Sequence, residues 1–170
     1  MYDYAITEQV SRKTKKGVKA LRRTMIVFAV LFVLLGIIFT NGFMLPAFLL
    51  VVLYFAYDVF CEKDYEYRLD GTTFTVHVIY GKRYRKEAQE LDIKDLEVVA
   101  PHWHDSVAKY KIKGGTQRLK KYDYTSYDED TPYYTMIIMS KHQKIKLLLD
   151  LNEQMLHAMK QMYPEKVFFA

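Results

Sequence analysis

The residues with the most chemical potential stand together at His102-Trp103-His104-Asp105. Two imidazoles and a carboxylate are donor types that zinc and related ions accept. In an extended segment side chains alternate, so His102 and His104 share a face and supply two ligands. Spacing identifies no third ligand, and a polar loop after Pro101 accounts for the same residues. The other histidines are dispersed: His77 falls on the polar side of an alternating stretch, His142 in a turn and His157 on a helix. None has a serine or cysteine nucleophile at a recognisable spacing. The single cysteine, Cys61, excludes an internal disulfide framework and a Cys-x-x-Cys site. No glycine-rich phosphate cradle occurs. These residues favour a non-enzymatic protein without a cofactor. A metal-dependent enzyme built on His102, His104 and Asp105 is the alternative.

Two basic groups suit surfaces rather than reactions. Residues 1–24 carry Arg12, Lys13, Lys15, Lys16, Lys19, Arg22 and Arg23 against Asp3 and Glu8, so the whole formal charge of +5 lies in this stretch. The balanced remainder argues against a nucleic-acid partner, which would need basic charge on the folded domain. Lys82, Arg83, Arg85 and Lys86 form a basic turn. Both groups suit anionic lipid headgroups. Tyr122, Tyr124 and Tyr127, interleaved with Asp123 and Asp128, form an aromatic-acidic segment. It is either a partner-binding loop, since tyrosine is favoured at interfaces, or an ordered flap.

The elements that must position these groups begin with residues 24–60. TMIVFAVLFVLLGIIFT (24–40) and FMLPAFLLVVLYFAYDVF (43–60) are separated by Asn41-Gly42. Neither run has a polar face, so a soluble protein would have to cover both all round. The pair reads as a transmembrane helical hairpin in the bilayer. Pro46 falls in a first helical turn, where its missing N–H costs little, and Asp58 marks the water boundary. No small-residue cleavage site follows the first run, which argues against a signal peptide. The basic residues precede the first run and the turn has none, so the positive-inside rule puts both termini in the cytosol. The expected organisation is a basic arm over 1–23, the hairpin over 24–60 and a cytosolic domain over 61–170, in a multi-pass protein of the cytoplasmic membrane.

After residue 61 the hydrophobic period changes to two. Strands are expected at 65–69, 74–80, 84–91, 96–100, 133–139 and 144–149, with Asp70-Gly71 and Gly81-Lys82 as turns, and 109–113 also alternates. Residues 102–131 are ambiguous. Asp150, with Glu153 three residues on, predicts the start of a C-terminal helix whose apolar face is Leu151, Met155, Met159 and Met162.

The stretch YEYRLDGTTFTVHVIYGKRYRKEAQELDIKDLEVV and the ending KIKLLLDLNEQMLHAMKQMYPEKV resemble bacterial PH-like domains that follow a pair of transmembrane helices. Ile93-Lys-Asp-Leu96 matches the short element that feeds a strand in such domains. The chain is similar to a family of small membrane proteins from Gram-positive anaerobes, a resemblance that lends no activity. It implies an α+β membrane protein, a two-helix hairpin followed by a PH-like β-barrel or sheet capped by a C-terminal helix. That architecture suits an anchored binding or scaffold module facing lipid or a protein partner.

Overall fold

The computed structural model describes residues 5–13, 16–39, 41–61, 63–81, 83–110, 115, 117–128 and 130–169, with only the backbone for residues 16, 41 and 58–61. The chain divides into two compact units. One comprises Met1–Arg12, Asp64–Ile79 and Arg85–Ala170; the other comprises Lys13–Lys63 and Tyr80–Tyr84.

The first unit starts earlier than the sequence suggests. Ile6–Ser11 is strand β1, not part of a solvated arm. It pairs antiparallel with β2 (Lys63–Asp70), from Ile6 opposite Leu69 to Ser11 opposite Asp64. Ile6, Glu8 and Val10 are half-buried, whereas Thr7, Gln9 and Ser11 are exposed. The inward glutamate breaks the apolar alternation, which is why the strand is hidden in the sequence. Ser11 and Asp64 are partners, so the chain leaves this sheet and re-enters it at adjacent positions. Residues 12–62 thus form the connection between β1 and β2.

β3 (Thr73–Tyr80) and β4 (Tyr84–Asp92) complete the sheet in the order β1-β2-β3-β4. Gly71, at φ +56°, supplies the left-handed residue of the β2–β3 turn. The second sheet has the order β5-β7-β8-β6, from β5 (Leu96–Pro101), β6 (Lys120–Asp123), β7 (Tyr134–Ser140) and β8 (Gln143–Leu149). β7 and β8 form an antiparallel hairpin, and β6 lies parallel to β8, Lys120 opposite Ile145. The core includes Tyr67, Phe74, Ile93, Met136, Leu147 and Leu149. Helix α3 (Glu153–Met162) adds Met155, Leu156 and Met159 to the buried set, while Met162 is 37% exposed.

Two expectations need correction here. Of the alternating stretch 109–113, Lys109 and Tyr110 belong to a 3-10 helix at Asp105–Tyr110; residues 111–113 lie outside the described residues. Val107 and Tyr110 of that helix pack with Val98, Ala100 and Ile137, flanked by Leu119 and Phe168. The segment after β5 therefore covers a sheet face, and β7 is buried on both sides without alternation. Asp150 is not the cap of α3. Asn152 is, its side chain accepting the Met155 N–H at 2.8 Å.

The second unit is helical. Helix α1 spans Lys16–Ile38 and α2 spans Met44–Cys61, joined through a 3-10 turn at Asn41–Phe43. The sequence places the first helix start at residue 24, yet the basic stretch is helical too. Extending an existing helix adds a hydrogen bond per residue without a new nucleation cost. Within the hairpin Phe32 stacks on Phe43, centroids 6.5 Å apart. A Cβ at Gly36 would come within 3.1 Å of the Met44 side chain, so glycine allows that close approach. Outside this seam Val27, Leu31, Leu34, Phe48 and Leu49 are exposed. Gly17–Ile38 is long and apolar enough to cross a membrane; α2 holds the shorter apolar stretch Met44–Tyr57.

Candidate functional site

The His102–Asp105 cluster folds as a turn leading into the 3-10 helix, so its side chains do not alternate on one face. The His102 ring stacks on Tyr133 at 4.2 Å and meets Trp103 edge-on at 4.7 Å. The His104 ring instead stacks on Phe168 at 4.6 Å. Nδ1 of His104 accepts the Ser106 N–H at 3.2 Å, with the Ser106 hydroxyl 2.8 Å away, so that lone pair is used within the turn. Among the described residues no three His, Cys, Asp or Glu side chains gather as a metal site would require. The metal-dependent reading on His102, His104 and Asp105 loses its structural basis. Of the remaining histidines, His77 is half-buried, while His142 and His157 are exposed.

What the turn does build is a groove. Two hollows of about 430 and 770 Å³ share His102, Trp103, Lys121, Tyr133 and Leu148 on their walls. The smaller reaches Lys146, whose ammonium donates to the Tyr110 carbonyl at 2.8 Å. The larger is bordered by Tyr127 and by Asp123, Asp128, Asp130 and Asp150. Trp103 and Tyr127 are 50% and 43% exposed, unusual for large rings that the domain could have buried.

The three tyrosines of the aromatic-acidic segment separate. Tyr122, on β6, is half-buried and stacks on Tyr124 at 6.3 Å. Tyr124 is buried and meets Tyr65 edge-on. Tyr127 alone reaches the groove, held at φ +59°. The segment is thus part ordered wall and part exposed rim.

Arg12 ties β1 to this wall. Its guanidinium donates to the Tyr65 hydroxyl at 2.6 Å, contacts the Asp123 carboxylate at 3.4 Å and lies 4.0 Å from the Tyr127 ring centre. With a side chain only 20% exposed, Arg12 belongs to the domain and leaves the expected headgroup set. Burial pushes the Tyr65 hydroxyl up to about 12, and the nearby Arg12 charge partly opposes that rise. Burial also acts to raise Asp123, but hydrogen bonds from Thr125 and Lys121 outweigh it and hold this carboxyl below its ordinary value.

A second polar group starts from Asp150 on the groove border. Asp150 is buried and accepts the Ser126 N–H at 2.7 Å. The Tyr67 hydroxyl donates to the Tyr124 carbonyl at 2.6 Å, and burial raises its pKa. Glu8 accepts the Asn152 N–H at 2.9 Å; burial, with a smaller push from Asp150, raises its carboxyl. Glu97, on β5, accepts from Lys109, Lys144 and the Tyr110 hydroxyl. Burial works to raise it, yet these three donors together bring it down to about 2.

A family model described as Bacterial PH-like domain (DUF6106) matches residues 4–169. The chain belongs to this family. Its match takes in β1, both helices of the hairpin and the two sheets, so the PH-like expectation extends N-terminally past the boundary at residue 61. No curated protein and no solved structure matches the chain.

The basic residues fall in several settings. Lys19 and Arg23 are exposed on α1 and Arg22 is half-buried there; Lys13 precedes the helix and Lys16 begins it. Arg83, Arg85 and Lys86 are exposed, with Arg85 donating to Glu66 at 2.7 Å. Lys15 and Lys82 lie outside the described residues. The strand period sends Arg85 and Lys86 to opposite faces of β4, so the turn is not a single-sided basic patch.

Proposed function

We infer that the protein is a non-enzymatic, membrane-anchored binding or scaffold module that presents its PH-like domain at the cytoplasmic membrane face. The observation that carries the reading is the apolar exterior of the helical unit: Val27, Leu31, Leu34, Phe48 and Leu49 are all exposed. Water disfavours so continuous an apolar surface by roughly 25 cal/mol per Å², and a bilayer removes that cost. α1 extends for about 34 Å, of which about 22 Å follows Arg23, and the long stems of the basic residues extend its reach towards a hydrocarbon core of about 30 Å. The second helix then returns the chain, and the basic residues before the first span favour cytosolic termini. Lys19 and Arg23, with Arg83 and Lys86, are the described residues offered for headgroup contact. Membership in a PH-like family supports binding rather than catalysis, by fold-level analogy.

The test is retention and topology. The tagged chain should remain in membranes through alkaline carbonate. A C-terminal tag should be protected from protease in sealed right-side-out vesicles. Release by carbonate would remove the anchor, and cleavage of the tag would reverse the orientation.

A further inference from the structure

We propose that the groove between Trp103 and Tyr127 binds an arginine-bearing segment of a partner protein, its guanidinium received by the aromatic rim and the aspartates beside it. The inference rests on the binding-module reading above and names its partner chemistry. The larger hollow encloses about 770 Å³, within the usual range of about 300–1,000 Å³ for ligand pockets. It suits a few side chains rather than a folded domain.

Four aspartates border it against one lysine, Lys121. Asp123 is engaged by Arg12, Lys121 and Thr125, and Asp150 by the Ser126 N–H, so the outer acidic charge comes from Asp128 and Asp130. Asp130 is exposed on the groove border, and its backbone N–H donates to Asp128 Oδ1 at 3.2 Å, which ties the two residues together there. Trp103 and Tyr127 offer half-exposed rings. Aromatic faces attract cations, and a planar guanidinium also stacks on them and forks to carboxylates, which an ammonium does less well.

The domain already contains one example of this pairing. Arg12 lies over the Tyr127 ring at 4.0 Å while its guanidinium meets Asp123. Tyr127 and Asp123 both border the groove, so this pairing of ring and carboxylate lies on its wall. His102, on the groove wall, stacks between Tyr133 and Trp103 and so fixes the position of the Trp103 ring.

Trp103 is the single tryptophan of the chain, so its emission reports on the groove directly. The full-length protein in detergent micelles is titrated with a hexa-arginine peptide while Trp103 fluorescence is followed. Parallel titrations use hexa-lysine, hexa-glutamate and a short-chain phosphatidylglycerol. A saturable change with hexa-arginine is expected, weaker with hexa-lysine, absent with hexa-glutamate, and diminished by added salt. Asp130→Asn, at an exposed position, should weaken it up to about fivefold, as loss of an exposed ion pair does. Tyr127→Leu should weaken it further. No emission change with hexa-arginine overturns the proposal. So does unchanged affinity in both variants, or a response to the lipid without one to the peptide. Equal binding of hexa-lysine removes the assignment to arginine. Because the micelle titration needs no bilayer, its failure is distinct from failure of membrane retention.

Discussion

The two units handle leucine in opposite ways. Leu147 and Leu149 of β8 are completely buried, whereas Leu31 and Leu34 of α1 are 45% and 51% exposed. Hydropathy alone does not separate these residues; the period does. β8 pairs on both edges, with β6 and β7, and its leucines belong to the buried core, as do Met155, Leu156 and Met159 of α3. The hairpin has one helical neighbour per helix, so most of its circumference stays uncovered. The first unit is therefore stabilised by removing apolar surface from water. The second acquires comparable stabilisation only from a different solvent, the bilayer proposed above.

The largest test of that contrast is Leu147→Ala, which should cost the domain about 2–5 kcal/mol through lost burial and an unfilled cavity. Leu31→Ala should leave domain unfolding within about 0.5 kcal/mol of the parent. Both are read by denaturant unfolding in micelles, and equal losses would abolish the distinction. Next in size is Leu31→Arg. A charge at mid-helix costs about 2.5–3.5 kcal/mol on membrane insertion, so carbonate-resistant retention should drop while the domain's near-ultraviolet circular dichroism persists.

Charge sharpens the comparison within the first unit, where two glutamates titrate in opposite senses. Glu97 is held at about 2 against an ordinary 4.5, so its stabilisation is present above pH 4.5 and lost as pH falls from 4.5 towards 2. Glu97→Gln should flatten acid unfolding in that window. Glu8 is raised, so it favours folding only while protonated, and that advantage disappears as pH rises from the free-glutamate value through its own. Glu8→Gln keeps an acceptor for the Asn152 N–H. It should raise the melting temperature at pH 7 and converge with the parent below pH 4.5. A lowered melting temperature at pH 7 would mean that the ionised form is the stabilising one.

The smallest effect concerns the β7–β8 turn. Lys141 and His142 both have positive φ, 48° and 66°, where Asn-Gly is the preferred pair. Lys141→Asn with His142→Gly should add about 1 kcal/mol. No gain in thermal stability would show that the turn is held without strain.

Much of the architecture was legible because it depends on local pattern. The two apolar runs, the Asp70-Gly71 turn, the β7 and β8 stretches and the methionine face of α3 all follow from period and turn chemistry. The failures share a cause, a local signal outvoted by a distant partner. β1 carries Glu8 on its inward side, and only Asn152, far along the chain, supplies the N–H that makes this tolerable. Asp150 has the sequence position of a cap but is drawn to the Ser126 N–H, leaving Asn152 to start α3. The 102–110 segment lacks a strand period because Val107 and Tyr110 are recruited to cover β5 and β7.

The sequence by itself determined where apolar surface is continuous, where the chain turns and where basic charge collects, since each depends on neighbours a few residues apart. Only the tertiary structure decided that residues 6–11 join the sheet, that Arg12 belongs to the domain, and that Trp103, Tyr127 and Asp130 border one groove. Those relations join positions up to 144 residues apart, as Glu8 and Asn152 are. Only closure of the sheets can bring such residues within hydrogen-bonding distance.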